Sequence, residues 1–328
     1  MLVKLICPSC KSEMVQQAVG WECSICRREH PYRGGVLCFL DSKGEFNLGE
    51  FQGKQKLEWT KSARLRDRIR RSQFLSFVNR LRIRCSLSGR RDRIFFNEML
   101  NGDRSKLILD VGCGGGRHYL CNYGQVVGVD PVQELLEISK MIYTEVYQAS
   151  ATQLPFADNS FDYVVSSDVI GHIPCEIKDQ MFAEMYRVLK KGGRTCHVIE
   201  TDGNNRLMRF AHSYPELYQK YFVDIPGHIS LELRSQVRVR FCKHGFKEIT
   251  FRNIGGAIPE CGGLSGMFGS EYRAKSRVLR YLASLDRLLA RNMLVKETVN
   301  ILLEPLAQLE DLLMPFDHPS GALVVYEK

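Results

Sequence analysis

The stretch Leu107–Asp130, LILDVGCGGGRHYLCNYGQVVGVD, decides the fold. Leu107 to Leu109 form a short apolar run that reads as a buried strand. Asp110, Val111, Gly112, Cys113, Gly114, Gly115 and Gly116 then make a tight turn, and a second apolar run, Val126 to Val129, ends on Asp130. Glycines let the backbone pass close beneath a ligand, and the helix expected after them turns unpaired N–H groups toward it. A carboxylate at the tip of the next strand can accept both hydroxyls of a ribose. The unit is therefore expected to hold a nucleoside whose charged end lies over the turn.

The type of nucleoside follows from what flanks the glycines. A dinucleotide fingerprint G-x-G-x-x-G needs glycine at 117, where the chain has Arg117. An acid precedes the first glycine, since Asp110-Val111-Gly112 reads D-x-G. That carboxylate repels a pyrophosphate and holds an ammonium or sulfonium. The stretch resembles the first motif of the seven-strand class I methyltransferases, an acid followed by G-x-G-x-G, with Asp110, Gly112, Gly114 and Gly116 in those places. Further motifs follow in the family's order. Leu154-Pro155-Phe156 matches the segment after the third strand, with Ser150 where the family has an acid and Ala151 after it. Phe161 to His172, FDYVVSSDVIGH, is similar to the fourth motif, and Met185 to Gly193 to the helix and turn leading to a fifth strand at Thr195–Glu200. Several motifs in order are more specific than a glycine turn alone.

The resemblance covers about 105–200 and a final strand at Gly321–Glu327. It implies an α/β fold, a seven-strand Rossmann-like methyltransferase sheet, mostly parallel, with helices on both faces. It also implies S-adenosylmethionine as methyl donor and a role for each matched residue. Asp110 would hold the methionine ammonium, directly or through water. Gly112, Cys113 and Gly114 would give close backbone approach, and Asp130 would bind the ribose diol. Ser150 and Ala151 would border the adenine, and Ser167 or Asp168 would sit near the methyl. In-line transfer needs alignment and exclusion of water more than covalent chemistry. A hydroxyl or amine acceptor still profits from a base. His172, after the fourth strand, is the first candidate, and His228 in Pro226-Gly227-His228 the second; His118, His197 and Glu200 rank below them.

Ahead of this domain, Cys7-Pro8-Ser9-Cys10 and Cys23-Ser24-Ile25-Cys26 form two C-x2-C knuckles twelve residues apart. Two knuckles close a tetrahedral site, so Cys7, Cys10, Cys23 and Cys26 read as ligands of a structural Zn2+ that supplies folding energy to a small segment. His30 is read as facing solvent. Residues 1–45 resemble the zinc ribbon that precedes many bacterial methyltransferases, of which some act on ribosomal RNA and others on small molecules or glycans. Bracing the main domain is the preferred role, ahead of nucleic-acid binding or partner recruitment.

Residues 46–100 form a basic linker, expected to be helical and to lie over the domain at 101–328. Between Lys61 and Arg93 one lysine and eleven arginines face Asp67 and Asp92, a segment that accounts for the net charge of +9. A solvated helix face comes first here, an RNA partner second and an anionic membrane surface third. From about 264 to 316 a leucine-rich helical insertion separates the last two strands, where a hairpin would suffice; it reads as an extra packed layer, with a dimer surface or acceptor cover as alternatives. Composition is ordinary globular, 44% hydrophobic and 25% charged. No apolar run reaches the length of a membrane span, no signal peptide is read ahead of Cys7, and the eight cysteines outside the knuckles are scattered singly, so the expected compartment is cytoplasmic. The sequence thus points to a methyltransferase acting on a hydroxyl or amine of a small-molecule or glycan acceptor. An RNA base methyltransferase is the alternative enzyme, and a cofactor-binding adaptor the alternative outside enzymes; oligomeric state is open.

Overall fold

A computed structural model describes residues 2–40 and 104–328. The basic linker, with its arginine run at 61–93, lies outside the described residues. The strands are β1 (Met14–Gln17), β2 (Gly20–Cys23), β3 (Glu29–Arg33), β4 (Val36–Cys38), β5 (Leu107–Val111), β6 (Gln125–Asp130), β7 (Glu145–Gln148), β8 (Phe161–Ser167), β9 (Leu189–Glu200), β10 (Lys247–Ile254) and β11 (Gly321–Glu327). They join in one sheet of order β1-β2-β3-β4-β7-β6-β5-β8-β9-β11-β10.

Seven of these strands, β7 to β10 in that order, make the expected sheet. The run β7-β6-β5-β8-β9 is parallel, and β11 inserts antiparallel between β9 and β10. The central strands are apolar on both faces, with Ile108, Leu109, Val127 and Val164 fully buried, as a sheet covered by helices requires. Strand order reverses at β5, whose neighbours β6 and β8 are reached by crossovers on either side. The crevice beyond the carboxyl ends of these strands is where an open α/β sheet binds its ligand.

The helices are α1 (Gln133–Ser139), α2 (Cys175–Val188), α3 (Arg206–His212), α4 (Pro215–Tyr218), α5 (Arg234–Lys243), α6 (Gly263–Met267), α7 (Ser270–Lys275), α8 (Arg277–Ala290) and α9 (Met293–Leu313). Two boundaries differ from the sequence reading. The helix expected from Pro131 to Ile142 is shorter, because its last turn closes through Ile142 and Tyr143 amides on the Ser139 carbonyl. The fifth strand begins at Leu189 instead of Thr195: Leu189 already pairs with Phe161, and an irregularity absorbs the residues before Arg194 pairs with Tyr163.

The largest departure is the strand count among the described residues, eleven against seven, because the cysteine-bearing module continues the sheet. β4 pairs in parallel with β7, Leu37 opposite Tyr147 and Cys38 opposite Gln148. Leu5 bridges Phe156, the Ile6 amide donates to the Pro155 carbonyl at 3.0 Å, and the Ala157 amide donates to Lys4 at 3.1 Å. Lys11, just after the first knuckle, reaches Glu184 on α2 at 2.9 Å. Val3, Leu5, Cys7, Cys23, Leu37 and Phe39 share one core with Leu154, Phe156 and the central strands. His30 is buried against the Phe39 ring, centroids 4.7 Å apart, and does not face solvent as expected, because the strand that carries it is pressed onto this shared core.

Within the sheet, Gly128 on β6 has no room for a side chain: a Cβ there would lie 2.8 Å from both the Cys113 Sγ and the Tyr143 ring. Gly128→Ala is expected to destabilise the protein by about 1–3 kcal/mol through overpacking, measurable as a lowered denaturation midpoint at unchanged slope.

Candidate active site

The glycine turn takes its shape from three left-handed residues, Gly112 at φ +65°, Gly114 at +52° and Gly116 at +81°. They differ in what surrounds them. A Cβ on Gly112 would strike the Val169 side chain, whereas one on Gly114 would meet nothing within 4 Å. Gly112 is thus required for packing, and Gly114 borders open space, as a cradle for a ligand must.

Asp130 closes the turn from the tip of β6. Its two carboxylate oxygens accept from the Gly114 amide and the Val132 amide, both at 2.8 Å. Burial raises its pKa to about 6 against the opposing pull of these amides. Each oxygen keeps a further lone pair, so the group remains an acceptor for a diol while it is ionised.

Asp110, expected to meet an ammonium, is fully buried at the tip of β5. One oxygen accepts from Arg117 Nη1 at 2.6 Å and the other from the Tyr143 hydroxyl at 2.6 Å. Arg117 Nη2 continues to the Ser167 carbonyl at 3.2 Å. Burial works against the Arg117 charge, but the Asp110 carboxylate outweighs it and holds the guanidinium protonated. Arg117 thus links Asp110 and the glycine turn to the end of β8. Cys113 is packed beneath the turn, and burial, with Asp130 and Asp110 close by, pushes its thiol well above the ordinary range, which removes it as a nucleophile.

Beyond β7, Ser150 Oγ pairs with Thr152 Oγ1 at 2.7 Å and accepts from the Thr152 amide at 3.2 Å, forming a closed turn that includes Ala151. Gln148, not anticipated from the sequence, ends β7 opposite Asp130. Its Nε2 donates to the Pro131 carbonyl at 3.0 Å, and its buried Oε1 has no hydrogen-bond partner among the described residues.

The two histidines chosen from sequence come together although they lie on separate elements. The Ile229 and Ser230 amides both donate to the Gly171 carbonyl, at 3.0 and 3.1 Å, folding the 225–232 loop onto the turn after β8. Lys178 on α2, itself buried, fastens this loop by donating to the Ser230 carbonyl at 2.6 Å and to Glu232 at 2.7 Å. The His172 and His228 rings end 5.1 Å apart. Glu200, at the end of β9, pairs with His228 Nε2 and completes a group whose ligand atoms lie within 4.8 Å of one another.

The protonation states differ within this group. His228 Nδ1 faces the Phe222 carbonyl at 2.9 Å and Nε2 faces Glu200. Both partners are acceptors, an environment that favours a proton on each ring nitrogen. Burial opposes the resulting charge, yet the Glu200 contact outweighs it and raises the His228 pKa. His172 Nδ1 donates to the Gly227 carbonyl at 2.7 Å, which makes Nε2 its basic nitrogen. Burial lowers the His172 pKa, and the neighbouring His228 charge lowers it further against the pull of the Gly227 carbonyl.

Asp168, left-handed at φ +57°, stands between the two halves of the site. Its carboxylate accepts from Ser167 Oγ at 3.0 Å and feels Glu200, Arg117 and His228 electrostatically. His197 is a core residue whose ring nitrogens are taken by Ser166 and Thr195, and burial lowers its pKa to about 3.

The four cysteines of the N-terminal module also converge. Cys7 Sγ lies 3.6 Å from Cys26 Sγ and Cys10 Sγ 3.3 Å from Cys23 Sγ, and all four sulfurs fall within 4.8 Å of one another. Lys11 and Arg27, each following the second cysteine of a knuckle, adopt φ of 60° and 59° and donate to the Cys7 and Cys23 carbonyls at 2.8 and 3.1 Å. The knuckles are thus two copies of one turn. Four thiolates around zinc at about 2.3 Å stand a little under 4 Å apart, a spacing this cluster can meet.

Sheet order and glycine turn together make an α/β, Rossmann-like methyltransferase fold. Residues 109–196 match the Methyltransf_11 family, described as a methyltransferase domain. Among curated relatives, the demethylmenaquinone methyltransferase of Oceanobacillus iheyensis is 30% identical over 141 residues, 39% of this chain and 57% of that one. That of Staphylococcus aureus is 35% identical over 132 residues, 36% of this chain and 52% of that one. The chain spans about half the length of the curated relatives it matches. Among solved structures, Haemonchus contortus phosphoethanolamine N-methyltransferase 2 in complex with S-adenosyl-L-methionine aligns with a TM-score of 0.46 at 20% identity, over 73% of this chain and 52% of that one.

Arg117→Leu would leave the Asp110 carboxylate buried beside one tyrosine hydroxyl. The variant is expected to lose about 3–5 kcal/mol of stability, and adding Asp110→Asn should recover much of it; chemical denaturation of the single and double variants measures both.

Proposed function

We propose that the protein transfers a methyl group from S-adenosylmethionine to a hydroxyl or amine of a small-molecule acceptor. The carrying observation is that an open glycine cradle and a paired-histidine group sit at the carboxyl ends of adjacent strands, joined through Arg117 and Asp168. The residues present suit the donor. Gly114 leaves space, Asp130 offers acceptors for a ribose diol, and the buried Gln148 Oε1 lacks a donor such as an adenine amino group would provide. Ser150 and Ala151 form the adjoining turn, and Ser167 with Asp168 borders the passage toward the histidines. When bound, the sulfonium makes its methyl electrophilic enough for direct displacement.

The chain's own residues supply alignment and a base. His172 is neutral at neutral pH and presents Nε2 as the proton acceptor, while His228 is held charged by Glu200 and favours negative charge building on an acceptor oxygen. The depressed His172 pKa keeps the base active down to pH values below the ordinary histidine range, and activity falls only as pH drops through that lowered value. Cys7, Cys10, Cys23 and Cys26 are proposed to hold one structural Zn2+ that fixes the knuckles against the Leu154–Phe156 segment.

Incubating labelled S-adenosylmethionine with a fractionated cell extract and locating the labelled product by mass would supply the acceptor. His172→Ala is then expected to lower kcat by about 10²–10⁴ and to remove the acid limb of the pH profile, with calorimetric cofactor binding retained. Undiminished turnover would remove His172 from the mechanism, and no cofactor binding by the unaltered protein would remove the reaction itself.

Metal analysis is expected to find zinc bound through the cysteines. Cys23→Ser should lower both zinc content and thermal stability, and loss of metal by chelation should weaken cofactor binding, because Leu5 and Ile6 would release Phe156 and Pro155.

A further inference from the structure

Helix α9 is amphipathic in the inverted sense. Its ionisable residues, Lys296, Glu297, Glu304, Glu310 and Asp311, are all partly buried on the side facing the protein, with Asn300 fully so. These groups have specific work there. Glu310 accepts from the Ala257 and Ile258 amides at 3.0 and 2.9 Å, and Asn300 accepts from the Cys261 amide at 2.7 Å. Every exposed residue of the helix is uncharged. Leu294, Leu302, Leu306, Leu309, Leu312 and Leu313 are between 52% and 80% exposed. The helix runs for 21 residues, about 32 Å, so this apolar face is long as well as continuous. The insertion packs through Leu264, Phe268, Tyr272, Leu279 and Ala283, while these leucines of α9 stay on its outer side.

Helix α8, which packs against α9, extends the face with Tyr281, Leu282, Leu285 and Leu288. Its inner side, Leu279 and Ala283, is packed with Phe222, Phe268 and Tyr272, and the Phe222 carbonyl receives His228 Nδ1. The exposed face thus belongs to the layer that covers the histidine side of the crevice.

Charge decides what can cover it. Arg277, Arg280 and Arg287 along α8 and Arg291 just after it are exposed, and Asp286, the one acid of that helix, is turned inward to accept from the Gly262 and Ser265 amides at 2.6 and 2.8 Å. From 277 to 313 the acidic residues, Asp286, Glu297, Glu304, Glu310 and Asp311, are all partly buried, whereas the arginines are exposed. A second copy docking by the same face would bring further arginines and no carboxylates to meet them. A layer of lipid phosphates would bring the missing counter-charge at the edge of an apolar interior, the arrangement in which an in-plane helix buries leucines and extends arginines to headgroups. No helix among the described residues is long and apolar enough to cross a membrane, so the face would lie on the bilayer and not span it.

The geometry points to α8 and α9 as a peripheral docking surface for an anionic membrane, beside the acceptor end of the crevice. This stands independently of the methyl-transfer reading.

The test uses the full chain with vesicles of phosphatidylcholine alone or mixed with phosphatidylglycerol, read by co-sedimentation, with light scattering for oligomeric state. The protein is expected to sediment with phosphatidylglycerol vesicles, more weakly as salt rises, and far less with phosphatidylcholine. Leu302→Glu/Leu309→Glu, both at exposed positions, should lower partitioning about tenfold or more while leaving the thermal midpoint unchanged, and Arg280→Glu/Arg287→Glu should act in the same direction. Undiminished sedimentation of the leucine variant would overturn the proposal by assigning binding to another basic part of the chain. A dimer that the leucine variant dissociates would overturn it in favour of a second copy, and a monomer that binds neither vesicle would do so in favour of cover from within the chain.

Discussion

A buried carboxylate at the tip of the central strand must be answered, and in this protein Arg117 and Tyr143 answer it. An unpaired charge at full burial costs several kcal/mol, so Asp110 obliges the glycine turn to bring the arginine back over the strand end. The arginine, once there, has a second group to satisfy and takes the Ser167 carbonyl. The shape of the turn, the position of Tyr143 and the junction of β5 with β8 follow from that single requirement. The cradle at Gly114 is the space left beside this arrangement, bounded by the carboxylate of Asp130.

The second organising contact is the seam between the cysteine module and the sheet. Paired strands, the Leu5–Phe156 bridge and the Lys11–Glu184 ion pair attach the module at several points, and its cysteines share a core with the segment after β7. These contacts make the module and the sheet one packed unit. The attached segment, Leu154 to Phe156, follows the turn formed by Ser150 and Thr152.

How much of this was legible depends on how local each feature is. Asp110, Gly112, Gly114 and Asp130 lie within one strand-turn-strand unit, and their spacing carries their arrangement. The cysteine pairs are legible for the same reason. The pairing of Arg117 with Asp110 was not, since a residue noted only as an absent glycine acquires its partner when the turn folds back. Gln148 was missed because nothing in YQAS distinguishes an orphaned amide from a surface one. His172 and His228 were readable as candidates, but their meeting depends on the Gly171 carbonyl, on Lys178 and on Glu200, which three separate elements supply. The fusion of β4 to β7 escaped notice because a three-residue strand has no periodicity to read. For α9, the spacing of leucines identified a helix and could not tell which side faces inward, because the polar side makes the backbone contacts.

The parallel pairing of β4 with β7 has a consequence for how such a chain can be divided. Without its first forty residues, the catalytic sheet would end in the open backbone of β7, a bare edge on which strands of other molecules can add. The cysteine module thus serves as a selvedge, finishing the sheet with short strands and a tightly turned border. Removing the module would uncover that edge, so the pairing of β4 with β7 also protects the sheet from adding strands of other molecules.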